Sequence, residues 1–231
     1  MKILLPPLFL TLFLACEPDP AKGVTETGNP ELDAQLRVQA RSSAPGQVDV
    51  DAPAGTLSVD EAWLAIDRVR FVRGAVCDAP GEIETDVDGP FVRDAATPVP
   101  EPIVARLPND DYCRVRLRLE PAEQAGPAPV ELLGHTVLVS GVRSDGVPWT
   151  FRSVEDFDID VRSATPISLE AATGNLLVSL DVATWLEGID LDGAEVSGGA
   201  VFIEVGSNEA LLGAIEDRLE AAFDLFDEDD D

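Results

Sequence analysis

Residues 58 to 74 read SVDEAWLAIDRVRFVRG. Taken with the two-residue period of a strand, Leu64 and Ile66 fall on one face, whereas Val69 and Phe71 fall on the opposite parity. One inserted residue reverses the face that a strand presents, so the slip places a β-bulge near Asp67 and Arg68.

The neighbouring stretches agree. LDAQLRVQAR (32–41), GPFVRDA (89–95), PIVARLPNDDYCRVRLRLE (102–120), HTVLVSGVRSDGVPWTFRSV (135–154), FDIDVR (157–162), TPISLE (165–170), NLLVSLDVATWL (175–186) and GAVFIEVG (199–206) are short apolar or alternating runs separated by turn residues. Many short strands with turn signals between them predict a mainly β fold, an antiparallel β-sandwich. LPNDDY and RSDGVPW read as hairpin connections, because Asn, Asp and Gly tolerate turn backbone angles. EPAEQAGPAPVE (120–131) reads as a long connection within the sandwich, since too few strands flank it for two independent cores.

The last segment has a different period. After Ser207 or Asn208 as helix cap and Glu209 in the first turn, Leu211, Ile215, Leu219 and Phe223 recur every four residues, widened by Leu212, Ala222 and Phe226. The expectation is a C-terminal amphipathic helix within 207–231 that packs on the sandwich. Its acidic end, Asp227 to Asp231, would fray against the helix dipole.

At the other end, Lys2 precedes an apolar run from Ile3 to Ala15 that stops at Cys16. About thirteen apolar residues fall short of the roughly 20 that span a bilayer. A positive start, a short apolar core and a small terminal residue describe a secretory signal peptide over 1–15. LFLAC (12–16) resembles the lipobox of bacterial lipoproteins, which implies acylation of Cys16 after cleavage. The alternatives are plain secretion and an uncleaved anchor. With Glu17 rather than Asp after the cysteine, the resemblance implies an outer-membrane lipoprotein of the bacterial cell envelope. Residues 16–31 are rich in Pro, Gly and polar residues and read as a disordered stalk, with the sandwich over 32–206.

The chain carries 16 Lys+Arg against 44 Asp+Glu, a formal charge of −28. Such a field repels phosphate backbones, so nucleic acid is excluded as a partner. Of the three cysteines, Cys16 is assigned to lipid, leaving Cys77 and Cys113 as an even pair for an oxidising compartment. They are a disulfide candidate, and a buried Cys113 thiol is the alternative.

Chemistry-bearing motifs are sparse. His135 is the only histidine, and no G-x-S-x-G elbow or P-loop accompanies it. Carboxylates are the one abundant resource. DVDG and DLDG make Asp86, Asp88, Asp190 and Asp192 weak calcium candidates, because calcium takes six to eight oxygen ligands. Glu155, Asp156, Asp158 and Asp160 add to the acidic inventory, and Trp63, Trp149 and Trp185 are candidates for stacking on a glycan.

The succession DEAWLAIDRVRF, GPFVRDA, ARLPNDDYCRVRLRL, FDIDV and LLVSLDVATWL resembles an uncharacterised domain of bacterial surface lipoproteins, similar to transthyretin-like and carboxypeptidase-regulatory-like β-sandwiches. Leu107, Pro108, Tyr112 and Trp185 stand at its Leu-Pro-turn-Tyr element and its later Trp. The resemblance implies a fold and a surface location, with no activity to carry over. The reading from sequence is a lipid-anchored, non-enzymatic structural or adhesive module, held to the membrane by acyl chains and presenting loops to a protein or glycan partner. No catalytic residues or cofactor are assigned. The alternatives are a calcium-dependent binding module and a carboxylate-based hydrolase.

Overall fold

A computed structural model describes residues 31–40, 48–52, 55–77, 83–169 and 175–227. The leader, Cys16 and the stalk up to Pro30 lie outside the described residues, as does the acidic tail beyond Asp227. The chain runs through β1 (Glu31–Ala40), β2 (Val48–Ala52), β3 (Gly55–Arg73), β4 (Glu84–Asp94), β5 (Ile103–Pro108) and β6 (Asp111–Leu119). There follow β7 (Val137–Arg143), β8 (Pro148–Ser153), β9 (Phe157–Ser168), β10 (Asn175–Leu180), α1 (Val182–Leu186), β11 (Val196–Ser197), β12 (Ala200–Ile203), α2 (Glu209–Leu219) and β13 (Phe223–Asp227). The fold is mainly β: two sheets with one longer helix near the C-terminus. Most strand pairs are antiparallel, but β1 with β10 and β8 with β12 are parallel.

Strand β3 is the spine. Its register shifts between Ile66 and Arg68, where the parity slip placed the bulge, and again between Val59 and Glu61 against β7. The inward set is therefore Leu57 and Val59, then Ala62, Leu64 and Ile66, then Val69 and Phe71, all buried. Each bulge is matched by a partner-strand glycine. A Cβ on Gly141 would lie 1.8 Å from the Ser58 carbonyl oxygen, and one on Gly89 2.5 Å from that of Ile66. Only a residue without a side chain admits such close backbone approach.

β3 has two neighbours on each edge. Strands β2 and β4 lie along one edge, pairing with residues 55–59 and 63–72. Strands β7 and β6 lie end to end along the other, pairing with 57–64 and 66–73, and Ala65 donates to Thr136 and accepts from Glu120 at their junction. The 120–136 connection crosses that junction and closes a small outer cluster of Ala65, Val92, Ala122, Leu132 and Leu138. It is a connection within the sandwich and brings its own patch of apolar burial. The second sheet, ordered β13-β10-β1-β5, packs its alternate residues against β3 and its neighbours in one contiguous core.

Three expectations need correction. LPNDDY is no hairpin: β5 pairs with β1 in the small sheet and β6 with β3 in the large one, so the turn carries the chain between sheets. RSDGVPW does join the antiparallel hairpin β7–β8. The C-terminal helix ends at Leu219, and Phe223–Asp227 form a strand, because Phe223 and Leu225 pair with Leu180 and Val178 and are buried there. Finally, DVDG, one of the two calcium candidates, lies within strand β4 and not in an open loop.

Candidate functional site

The charged residues singled out in the sequence converge on the outer face of β4-β3-β6-β9. Strand alternation sends Val69, Phe71, Val115, Leu117, Ile159 and Val161 inward, and the intervening charges outward. The registers then line up two rows. Asp86, Arg70, Arg116 and Asp160 form one, and Asp88, Arg68, Arg118 and Asp158 the other. Carboxylates occupy the outer strands and guanidinium groups the two central ones.

The contacts follow that order. Arg70 Nε lies 2.6 Å from Asp86 Oδ1 and its Nη1 3.1 Å from Glu84, while Arg68 reaches Asp88 at 3.1 Å. Arg116 lies 3.2 Å from Glu84 and 3.9 Å from Asp160, and Asp160 also takes Arg114 at 3.3 Å and Arg162 at 3.1 Å. Arg118 pairs with Glu120 at 2.6 Å. The hydrogen bond from Arg70 holds the Asp86 carboxyl below its ordinary range, and Asp86 in turn holds the Arg70 guanidinium above its own. Opposite charges directly across strands stabilise the pairing and penalise a register slip, although each exposed pair is worth only about 0–1 kcal/mol.

This arrangement decides the fate of the carboxylate candidates. Asp86 and Asp88 face arginines on a strand rather than an open oxygen cage. Asp192 lies 3.3 Å from Arg143, and Asp190 accepts the Asp192 backbone N–H at 3.0 Å as an Asx turn. Arg143 also holds Asp145 at 2.5 Å and donates to the Leu191 carbonyl at 2.8 Å, tying the β7–β8 hairpin to the 190–193 turn. Among the described residues, no group of three or more His, Cys, Asp or Glu is placed to hold a metal ion. Glu155 and Asp156 lie exposed between β8 and β9, and Asp158 faces solvent beside Asp160.

Cys77 and Cys113 are bonded to each other, with their Cα atoms 5.0 Å apart. The bridge ties the segment after β3 to β6, next to the turn where Tyr112 donates its hydroxyl to the Pro108 carbonyl at 2.8 Å. Burial pushes the Tyr112 phenol up to about 12, so it remains a donor throughout the working range. Leu107, Pro108 and Tyr112 thus lock the crossing between sheets. Trp185 donates to the Ile215 carbonyl at 2.9 Å inside the core, fastening α1 to α2. Trp149 and Trp185 are both fully buried, so neither can stack on a glycan, and Trp63 is half-buried against the outer cluster. His135 Nδ1 lies 3.1 Å from the Leu133 carbonyl, in the connection before β7.

Two polar features were not anticipated. Ser153, fully buried on β8, donates to Glu216 of α2 at 2.5 Å, and burial holds the Glu216 carboxyl above its ordinary range, helped by the nearby Glu155 and Asp217 charges. Asn208 starts α2 in the left-handed region at φ 52°, and its side chain does not cap the helix. It binds the backbone of Glu195 and the Phe202 carbonyl instead, and Glu209 accepts from Gly206 N–H. Only the paired D-x-D and R-x-R spacings of β3, β4, β6 and β9 could have signalled the charged rows beforehand. Comparison with protein-family models, curated proteins and solved structures finds no match.

Proposed function

We propose that the chain is a lipid-anchored envelope protein whose β-sandwich is a non-enzymatic display scaffold. The observation that carries this reading is the cysteine arithmetic: Cys77 and Cys113 take each other, which leaves Cys16, at the end of the apolar leader, as the one cysteine outside the bridge. A persistent disulfide belongs to an oxidising compartment, and an exported chain with one further cysteine at a lipobox-like site has a use for it. The stiff double sheet then holds its end loops on a rigid frame, as binding loops require. The ion-paired outer face also supports a scaffold role. Glu84, Asp86, Asp88 and Asp160 are engaged by arginines there, whereas a general acid or base needs a carboxyl free to exchange protons with a substrate.

Cells expressing the wild type and Cys16→Ser are grown with labelled palmitate, and the protein is isolated. Label in the wild type and none in the variant is the expected result. Equal incorporation, or none in either, overturns the anchor.

A further inference from the structure

The sandwich is closed along one side, where β9 and β13 lie against each other. On the other side β4 pairs with β3 alone, and its outer edge meets no strand among the described residues. Backbone groups alternate in direction along a strand, and the bonds to β3 show which ones that edge presents. Arg73 N–H donates to the Ile83 carbonyl at 2.9 Å, so Ile83, Thr85 and Val87 turn their backbone groups to β3, and Glu84, Asp86 and Asp88 turn theirs outward. Farther along, Ala95 N–H donates to the Ala62 carbonyl at 2.8 Å, which leaves Pro90 and Val92 outward. Those two positions are spent: Pro90 has no N–H, and the Val92 carbonyl takes Arg93 Nη1 at 2.9 Å. The side chains of the remaining window divide by face. Glu84, Asp86 and Asp88 join the charged outer face, whereas Val87, like Phe91 beyond it, is half-buried against the core.

We propose that residues 84–88 of β4 accept an extended segment of another protein as an added antiparallel strand, one that alternates Lys or Arg with apolar residues. The inference goes beyond the anchor reading and stands whether or not Cys16 is acylated. Three residues in strand spacing, each offering an N–H and a C=O, specify a main chain as the occupant. Cross-strand pairing then sets its side chains: those opposite Glu84, Asp86 and Asp88 share the outer face, and those opposite Thr85 and Val87 turn to the core side. A cation opposite Asp86 extends the row Asp86, Arg70, Arg116, Asp160 by one more opposite charge. One carboxylate on this face serves several guanidinium groups, since Asp160 takes Arg114 at 3.3 Å and Arg162 at 3.1 Å. Asp88 meets only Arg68 among the described residues and is 79% exposed, so it has room for a second cation. The same three acids reject the β4 edge of a second copy, because like charges directly opposite are destabilising and each chain carries −28.

The full-length protein is purified in detergent and titrated into a fluorescent peptide, Lys-Val-Lys-Val-Lys, with binding read by anisotropy. The peptide is made unmodified, N-methylated on its lysine nitrogens, and N-methylated on its valine nitrogens, all with the same charge. In the antiparallel pair the lysine N–H groups face β4 and the valine N–H groups face away. Lysine methylation should weaken binding at least about tenfold, as the loss of two or more main-chain hydrogen bonds requires, and valine methylation should leave it within about twofold. Asp88→Lys, with an unchanged circular dichroism spectrum, should bind the unmodified peptide more weakly. Equal binding by all three peptides means charge attraction alone and overturns the added strand, as do no binding at all and a loss on valine methylation instead. Sedimentation of the wild type as a dimer that Asp88→Lys abolishes gives the edge to a second copy and overturns the basic partner.

Discussion

Replacing Gly141 by Ala tests the bulged spine directly. The new Cβ would lie 1.8 Å from the Ser58 carbonyl oxygen, 2.8 Å from its carbon and 3.1 Å from Trp149 Nε1, where ordinary contact begins near 3.4 Å. Two of these three atoms are backbone, so no rotamer change relieves the clash. β7 must move away from β3 by about 1.5 Å, which is the shortfall from that contact distance, and this loosens the pairing of Val59 with Gly141 and Ser58 with Val142. Overpacking costs about 1–3 kcal/mol, and one or two weakened ladder hydrogen bonds add about 1 kcal/mol each, for a loss of roughly 2–5 kcal/mol. In a domain of this size that lowers Tm by roughly 4–20 °C. The assay is thermal unfolding followed by far-UV circular dichroism. Gly213→Ala serves as the control, since Gly213 lies within α2 with nothing within 4 Å of its Cβ position. It should gain about 0.5–1 kcal/mol. A Gly141→Ala protein melting within about 2 °C of wild type would refute the close approach of the two strands.

Three further outcomes are expected. Replacing Cys77 and Cys113 together by Ser opens a loop with a sequence separation of 36, and should cost about 3–4 kcal/mol by the chain-entropy relation, read as a lower denaturant midpoint; an unchanged midpoint contradicts it. Tyr112→Phe removes the hydroxyl held by Pro108 and should cost about 1–2 kcal/mol in the same assay, whereas neutrality would mean that the turn is held otherwise. Glu216 is a carboxyl whose pKa is higher in the folded chain than in the unfolded one, so its favourable contribution is complete below its unfolded pKa and is lost as pH rises through the folded value. Glu216→Gln, which keeps an oxygen for Ser153, should therefore raise Tm at neutral pH and lose that advantage near pH 4; the opposite pH trend would sink the reasoning.

Parity made one half of the architecture readable in advance. The slip between Ile66 and Val69 marks the second bulge because apolar residues flank it on both sides. The first bulge, between Val59 and Glu61, opens its new parity with the small Ala62, while Trp63 and Ala65 keep apolar residues on the old one, so its signal is faint. Strand order was hidden for a physical reason: pairing partners are chosen by tertiary packing, and LPNDDY is equally good chemistry for a hairpin or for a step between sheets. Phe223 extends the four-residue stripe of α2, yet Phe223 and Leu225 also alternate, and the free edge of β10 decides in favour of the strand. The charged face was half visible. Alternation along CRVRLRL sets the arginines of β6 opposite Val115 and Leu117, but nothing local tells that Asp86 and Asp160 flank Arg70 and Arg116.

The anchor at Cys16 is the claim on which location and role both depend. The most direct measurement is the intact mass of the protein extracted from the membrane fraction of its native cells, with fragmentation of the N-terminal peptide. The account predicts a chain beginning at Cys16 and carrying acyl mass on that residue. A water-soluble chain that begins elsewhere, or a Cys16 with no added mass, would contradict it.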